Sequence, residues 1–289
     1  MSARYLEISR SELESRARQA YEIYRECRVC PHACGVDRTQ GQTGYCGQTD
    51  LLSVSSSVRH FGEEPPLVGT GGVGNLFVTA CNMRCDYCQN FQISQLWKKQ
   101  ALPTAVELER TYQSTAEQMV RLQKEGVHFI GWVSPSHVVP GLLKSLVLAR
   151  DMGLRIPIIY NTNGYDALPT LKLLDGVVDI YLPDLKYAHS ATAKKISHIQ
   201  EYAEFSREAV LEMYRQVGPL VLGEDGLALH GLLVRHLLLP EGLAGTWETL
   251  CFIALEMSPS VSLSLMSQYR PVHKARFPLN REITLEEYE

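Results

Sequence analysis

The chain has 289 residues, 45% of them hydrophobic and 21% charged, a composition typical of a globular protein with one large core and a small appendage. This composition excludes a disordered or fibrous chain. The formal net charge is −4 at pH 7, with Lys and Arg scattered along the sequence, so we do not expect nucleic acid as a partner. No apolar stretch reaches the roughly 18 residues of a membrane-spanning helix, and the first residues lack a signal-peptide pattern. We therefore expect neither membrane insertion nor export.

The cysteines indicate a reducing compartment. Seven of the eight lie within the first 88 residues, at spacings typical of metal ligands. A disulfide scaffold is typical of much smaller, secreted chains. We therefore expect a cytoplasmic protein whose thiols are free to bind metal.

Residues 1–60 are predicted to form a helix and a cysteine-rich metal-binding segment. Ser11 and Glu14 make a capping-box pattern, and apolar residues then recur at helical spacing, which predicts a helix over residues 10–25. Four cysteines follow among turn-forming glycines, and we call them the four-cysteine set: Cys27, Cys30, Cys34 and Cys46.

The four-cysteine set can bind metal in two ways. Four thiolates at these spacings can complete a tetrahedral zinc site or a second, fully ligated iron–sulfur cluster, and the sequence leaves both open. Such a loop-rich segment has little apolar area, so bound metal would supply its folding energy. The alternatives are that His32 replaces one thiolate, or that the cysteines cluster by chance.

Residues 61–289 are predicted to form an α/β domain, a partial (β/α)6 barrel. Short apolar runs alternate with helical stretches, and six strands are two short of a closed (β/α)8 barrel. The predicted strands cover residues 75–79, 128–133, 155–161, 178–182, 232–239 and 260–266. The predicted helices cover residues 104–124, 141–151, 168–174, 191–217 and 246–257.

The first strand of this domain leads into a loop with three cysteines, Cys81, Cys85 and Cys88, which we call the tripod. Three thiolates can hold three corners of a 4Fe–4S cluster and leave the fourth iron open to a small reactive ligand, whereas an electron-transfer cluster needs four. The C-terminal ends of strands are also where β/α enzymes place their chemistry. Zinc is the alternative, although its Cys-x-x-Cys ligands usually come in pairs.

The tripod with its aromatic residue, Cys-x-x-x-Cys-x-Tyr87-Cys, resembles the signature of the radical S-adenosylmethionine (SAM) superfamily. Gln89-Asn90, Thr162-Asn163-Gly164, Asp184-Leu185-Lys186 and Val234-Arg235 resemble the pyruvate formate-lyase activating enzymes, so the resemblance spans about residues 75–271. It implies a partial (β/α)6 barrel that holds a 4Fe–4S cluster. The open iron of that cluster would bind the amino and carboxylate groups of SAM. It also implies reductive cleavage of SAM to a 5′-deoxyadenosyl radical, which abstracts a hydrogen atom from the substrate.

The strand ends supply the candidate SAM-binding residues. The activating enzymes carry Gly-Gly-Glu where this chain has Ser134-Pro135-Ser136-His137, so what holds the SAM amino group is open, and a structural role for His137 is the alternative. An Asn-Thr-Asn-Gly turn can bond the ribose or carboxylate of SAM, or can be a plain turn. Charged residues in apolar strands are costly unless paired or functional. The candidates are Tyr87, Ser136, His137, Thr162, Asn163, Asp184, Lys186 and Arg235.

The sequence thus predicts a radical SAM oxidoreductase, and the resemblance implies a flavodoxin- or ferredoxin-type electron donor. The substrate is open between a glycyl-radical enzyme, another protein or peptide, and a small molecule. The rival hypothesis is a non-catalytic iron–sulfur or zinc protein for electron transfer or regulation. Cys251, the remaining cysteine, lies in an apolar helical stretch and is predicted to belong to the core.

Overall fold

The structure, a computed structural model, describes residues 3–97 and 102–289. In chain order its strands are β1 (Val54–His60), β2 (Val73–Val78), β3 (Phe129–Val133), β4 (Ile158–Thr162), β5 (Ile180–Pro183), β6 (Val221–Leu222), β7 (Ala228–Leu237) and β8 (Ser262–Met266). Its α-helices are α1 (Arg10–Glu22), α2 (Pro65–Val68), α3 (Phe91–Ser94), α4 (Ala105–Lys124), α5 (Val139–Asp151), α6 (Leu168–Lys172), α7 (Ser190–Ser197), α8 (Tyr202–Val217), α9 (Thr246–Phe252) and α10 (Leu285–Tyr288).

Six of the strands in the described ranges run parallel and side by side, in the order β2-β3-β4-β5-β7-β8. All six were predicted, and the mixed α/β class with an open parallel sheet is confirmed. The partial (β/α)6 barrel itself stays a prediction.

Two antiparallel strands at the sheet margins were not predicted. β1 pairs with β2, and the two-residue β6 pairs with β7. β1 reads Val-Ser-Ser-Ser-Val-Arg-His and buries none of its residues fully, so it lacks the apolar run by which the other strands are recognised. The domain boundary at residue 60 stays a prediction, and β1, which precedes it, belongs to the sheet.

Most predicted helices are present, with one break. The stretch predicted as one helix over residues 191–217 is two helices, α7 and α8, because His198 and Glu201 between them adopt left-handed φ values of 58° and 52°. The stretch predicted over 246–257 begins as α9 and continues as the π-helical turn Ile253–Met257. In the part of the chain that the structure describes, no helix is both long and apolar enough to cross a membrane.

Alternate residues of the parallel strands serve two separate cores, as strand geometry requires. One set, which includes Trp132 and Tyr160, packs in the main core with the helices. The other set forms a smaller inner cluster with Phe129 and Ile180. Further along the same inner face, toward the C-terminal strand ends, polar residues replace apolar ones, and this is the edge that carries the site.

The N-terminal segment runs along one side of the sheet. The backbone amide of Arg4 donates to Asp179 Oδ1 at 2.8 Å, and the Arg150 guanidinium donates to the carbonyl of Ile8 at 2.6 Å. α1 then packs against α5. This path brings the four-cysteine set to the same edge of the sheet as the tripod.

Candidate functional site

The tripod loop follows β2 and is fixed by α7. The amide of Asp86 donates to the Ile196 carbonyl at 2.9 Å. Ala80, directly before the first tripod cysteine, has a φ of 68°, a left-handed conformation that is uncommon for a residue with a side chain. Such backbone is retained where its surroundings hold it in place, often at functional sites.

Cys81 receives two hydrogen bonds. Its Sγ lies 3.4 Å from the amide of Met83 and 3.4 Å from Asn163 Nδ2. Hydrogen bonds to a cysteine sulfur favour the thiolate and tune the reduction potential of a bound cluster. The predicted SAM ligand Asn163 therefore contacts the tripod directly, a placement that the sequence pattern alone did not indicate.

The other tripod thiols also have polar neighbours. Cys88 Sγ lies 3.3 Å from the Ser94 hydroxyl, and the Ser197 hydroxyl bonds to Cys85. Burial raises the pKa of Cys85 to about 11, although the nearby Lys186 ammonium acts in the opposite direction. Burial likewise raises the pKa of the first tripod thiol to about 12. Metal binding must therefore supply the free energy that ionises these thiols.

A charged network lies on the inner face at the ends of β4, β5 and β7. Arg235 Nε lies 2.8 Å from Asp184 Oδ1, and Lys186 Nζ lies 2.6 Å from Asp184 Oδ2. The guanidinium also reaches Glu63 Oε2 at 3.3 Å and Asn161 Oδ1 at 2.7 Å. Burial alone would raise the pKa of Asp184, but Arg235 and Lys186 outweigh it and hold that pKa below its usual value. The predicted residues Asp184, Lys186 and Arg235 are thus brought together.

Two members of this network were missed in the sequence. Glu63 comes from the loop after β1 and accepts a hydrogen bond from Asn75 Nδ2 at 2.8 Å. Gly131 lies opposite, and a Cβ there would collide with the Asn75 side chain. Asn75 could have been recognised as a site residue, because it is a polar residue inside an otherwise apolar strand. No local sequence feature distinguishes Glu63 from other glutamates in loops.

Ser136 and Thr162 serve a buried carboxyl group. Their hydroxyls lie 3.2 Å apart, and Thr162 Oγ1 donates to Asp166 Oδ2 at 2.6 Å. The Tyr160 hydroxyl donates to the other oxygen of Asp166 at 2.7 Å. Both hydroxyls already have hydrogen-bond partners. If Ser136 or Thr162 contacts SAM, the contact would therefore use a backbone amide or carbonyl group.

His137 is fully buried, and its Nε2 lies 2.9 Å from the carbonyl of Thr79. Burial lowers the pKa of His137 to about 4, so its imidazole is neutral at physiological pH. Its backbone carbonyl accepts hydrogen bonds from Tyr24 at 3.3 Å and Arg38 at 2.7 Å. This placement favours the structural alternative for His137.

Tyr87 supports the tripod loop from below. Its hydroxyl lies 2.8 Å from that of Tyr187, and its ring meets Tyr269 edge-on at 5.7 Å between centroids. These residues belong to a second core beneath the loop. Contact of Tyr87 with SAM stays a prediction.

The four-cysteine set is folded by a tight turn. The amide of Cys27 donates to the Val36 carbonyl at 2.9 Å, and Ala33, directly before Cys34, has a φ of 41°. A Cβ on Gly44 would lie 2.5 Å from Cys34 Sγ, so only glycine leaves room for that thiol. The turn residues that indicated a metal segment therefore also set the position of its thiols.

An aromatic layer joins the two cysteine groups. His32 Nε2 lies 2.9 Å from the carbonyl of Asn82, its ring stacks on Tyr45 at 3.8 Å, and Tyr165 meets it edge-on at 5.3 Å. The His32 imidazole thus bonds the tripod loop, whereas the backbone amide of His32 donates to Cys30 of the four-cysteine set. Cys46 of the four-cysteine set and Cys81 of the tripod both line a cavity of about 380 Å³.

The thiols of the four-cysteine set lie close enough to interact electrostatically, since Cys30 does so with Cys27, Cys34 and Cys46. Across residues 3–97 and 102–289, no three His, Cys, Asp or Glu side chains are arranged to hold a single metal ion. A zinc ion and a fully ligated iron–sulfur cluster both take four thiolates, and the four-cysteine set offers that number. Cys251, predicted to belong to the core, is only half-buried, whereas the next residue, Phe252, packs in the main core.

No protein-family model matches the chain. Among similar proteins is the uncharacterized protein MJ0674 of Methanocaldococcus jannaschii, 28% identical over 281 residues that cover 96% of this chain and 76% of that protein. Another is MJ0808 of the same organism, 27% identical over 173 residues, 55% of this chain and 49% of that protein. Both are uncharacterized, so they add no activity.

Similar solved structures include HydG, a maturase of the [FeFe]-hydrogenase, with a TM-score of 0.46 over 98% of this chain and 60% of that one. Methylornithine synthase (PylB) has a TM-score of 0.45 over 97% and 71%, and TYW1 with a lysine-pyruvate adduct bound has 0.40 over 71% and 68%. Sequence identity is 11% in each case. At these values the likenesses carry no conclusion about this chain.

Replacing Asp184 by Ala is expected to lower the free energy of unfolding by about 3–5 kcal/mol, because it removes the carboxylate that pairs with Lys186 and leaves Arg235 with Glu63 as its remaining ion-pair partner. Urea unfolding measures the change. Asp151→Ala is the matched control, since it breaks an ion pair with Arg10 whose side chains are 41% and 53% exposed, and it should cost less than about 1 kcal/mol. Equal losses in the two variants would show that the network adds no more stability than a surface pair.

Because His137 is buried and neutral, we expect the free energy of unfolding to depend on pH. The unfolded imidazole binds a proton below about pH 6.5, whereas the folded one does so only near the pKa of about 4. Its contribution is therefore present above pH 6.5 and falls by about 3 kcal/mol as the pH drops to 4. The measurement is the difference in unfolding free energy between the parent and His137→Gln at pH 7 and pH 4. A difference that is the same at both pH values would contradict this assignment.

Proposed function

We propose that this chain is a radical SAM enzyme with a 4Fe–4S cluster on the tripod. The observation that carries the proposal is the position of the tripod at the C-terminal edge of the parallel sheet, where Asn163 and Lys186 come from the ends of other strands. Three thiolates leave one iron without a protein ligand. When bound, the cluster would supply the electron that cleaves SAM to methionine and a 5′-deoxyadenosyl radical.

The residues around the tripod would either stabilise its thiolates or bind SAM. The Asn163 amide and the Ser94 and Ser197 hydroxyls donate to the tripod sulfurs and stabilise them as thiolates. The pair of Asp184 and Arg235 offers one negative and one positive group, which match the ammonium and carboxylate of SAM. In the same proposal the six parallel strands form the partial (β/α)6 barrel that surrounds SAM.

The four-cysteine set is proposed to bind a second centre, an iron–sulfur cluster in preference to zinc. The place of the set against the tripod loop supports this choice, because an iron–sulfur cluster there could exchange electrons with the tripod cluster, which zinc cannot do. A fully ligated centre has no open position for substrate, so it would be structural or relay electrons.

The electron donor and the hydrogen-atom donor belong to the proposal as well. A flavodoxin- or ferredoxin-type protein in the cytoplasm would supply the electron. The resemblance to activating enzymes makes a glycyl-radical enzyme the first substrate to test, ahead of other peptides and small molecules. Assay of the chain with such a partner, read out as a glycine-centred radical by electron paramagnetic resonance, separates these options.

Substitution of any one tripod cysteine by Ala is expected to abolish SAM cleavage without unfolding the chain, because the loop lies at the edge of the sheet. The assay is anaerobic reconstitution with iron and sulfide, reduction with dithionite, and detection of 5′-deoxyadenosine and methionine. Cys251→Ala is the matched control and should cleave SAM at the parent rate. A tripod variant that keeps its cluster and cleaves at the parent rate would refute the assignment, and absence of cleavage by the reconstituted parent would favour the non-catalytic alternative.

Metal analysis of the triple variant Cys81→Ala, Cys85→Ala, Cys88→Ala isolates the second centre. We expect this variant to retain iron and sulfide, because the four-cysteine set supplies four thiolates of its own. Loss of all metal from the variant, together with free alkylation of the four N-terminal thiols in the parent, would eliminate the second centre. Retention of zinc alone would restore the zinc alternative.

A further inference from the structure

Arg38 has a fully buried guanidinium beside the four-cysteine set. Its Nε and Nη2 donate to the carbonyl of Thr49 at 3.0 and 2.5 Å, and its Nη1 donates to the carbonyl of His137 at 2.7 Å. The guanidinium carbon also lies 4.0 Å from the centre of the Tyr24 ring. These contacts use the hydrogen-bonding capacity of the side chain but do not neutralise its charge.

No carboxylate compensates this charge. Among the described residues, no Asp or Glu oxygen lies within 4.0 Å of the Arg38 guanidinium. The buried Asp50 in the same segment uses its Oδ2 to accept the Tyr21 hydroxyl at 2.6 Å. A buried charge without a counter-charge is strongly unfavourable, so one of the remaining neighbours of Arg38 must carry negative charge.

The remaining neighbours are thiols of the four-cysteine set. Cys27 Sγ lies 4.0 Å from Arg38 Nη1, and Cys46 is close enough to interact electrostatically with the guanidinium. Four thiolates carry four negative charges, so a site holding one divalent zinc, or a cluster core of charge +2, keeps a net charge of about −2. The metal-loaded set would therefore be the anion that Arg38 faces.

We propose that Arg38 is the built-in counter-charge of the four-cysteine set, and that it fastens the loaded set to the loop after β3 through the carbonyl of His137. The inference rests on the second centre proposed above and assigns it a positioning residue outside the thiol ligands. The forked guanidinium suits both tasks, because one side chain reaches two carbonyls and a sulfur at the same time.

The test uses the full chain with the tripod cysteines replaced by Ala, loaded with iron and sulfide, and with zinc(II) in a parallel sample. Metal release to excess EDTA is followed over time. Arg38→Met is expected to release metal at least tenfold faster than this parent, because the net negative charge of the site is left uncompensated. Arg38→Lys keeps the charge and should stay within about threefold of the parent.

Arg28→Met is the matched control, since Arg28 follows Cys27 in sequence but its side chain is 64% exposed. It should release metal at the parent rate. A second readout separates charge compensation from simple packing. Arg38→Met should lower the melting temperature of the metal-loaded protein, yet raise it in a Cys34→Ser, Cys46→Ser background that cannot hold the metal, because there the guanidinium has no anion.

Each outcome bears on a different claim. Parent-like metal release by Arg38→Met, or an Arg38→Lys variant that loses metal as fast as Arg38→Met, would overturn the role of Arg38 and leave the second centre standing. Failure of the tripod-less parent to bind either iron or zinc would instead remove the second centre, and the role of Arg38 with it. If Arg38→Met does not fold, the comparison of Arg38→Lys with Cys34→Ser decides, and equal release rates would overturn the proposal.

Discussion

The ion pair between Asp184 and Arg235 is the contact on which the arrangement of the site depends. β5 and β7 pair side by side only at Ile180 and Tyr181, and they meet again where Asp184 bridges to Arg235. Because both charges are largely withdrawn from water, each needs the other, and this need fixes the two strand ends in register. Asp184 then holds Lys186 toward the tripod. The guanidinium also pairs with Glu63 in the loop after β1, at the opposite margin of the sheet, so that one pair of charges links the ends of β5 and β7 to that loop.

The N-terminal segment belongs to the site and is not a remote appendage. The His32 ring stacks on Tyr45 and bonds the Asn82 carbonyl in the tripod loop, and Cys46 and Cys81 line one cavity of about 380 Å³. The cysteine-rich segment and the tripod loop are therefore in direct contact through His32.

Local sequence patterns predicted the regular elements well and failed where local signals were weak or misleading. Six parallel strands were recognisable because each is a short apolar run. β1 escaped because its side chains are mostly polar, and the break between α7 and α8 escaped because His198 and Glu201 hold left-handed backbone without a glycine. The roles of His137 and Thr162 as SAM ligands stay predictions, and the structure adds that the side chain of each already has a buried partner.

The sequence by itself determined the tripod, the four-cysteine set and the alternation of strands and helices, because spacing and periodicity are properties of neighbouring residues. Only the tertiary structure decided which polar groups meet. Glu63 and Arg235 are 172 positions apart, and Arg38 and His137 are 99 apart, yet each pair is in hydrogen-bond contact. The physical reason is that a buried charge is unfavourable without a partner. The packing of the chain can supply that partner from any position in the sequence.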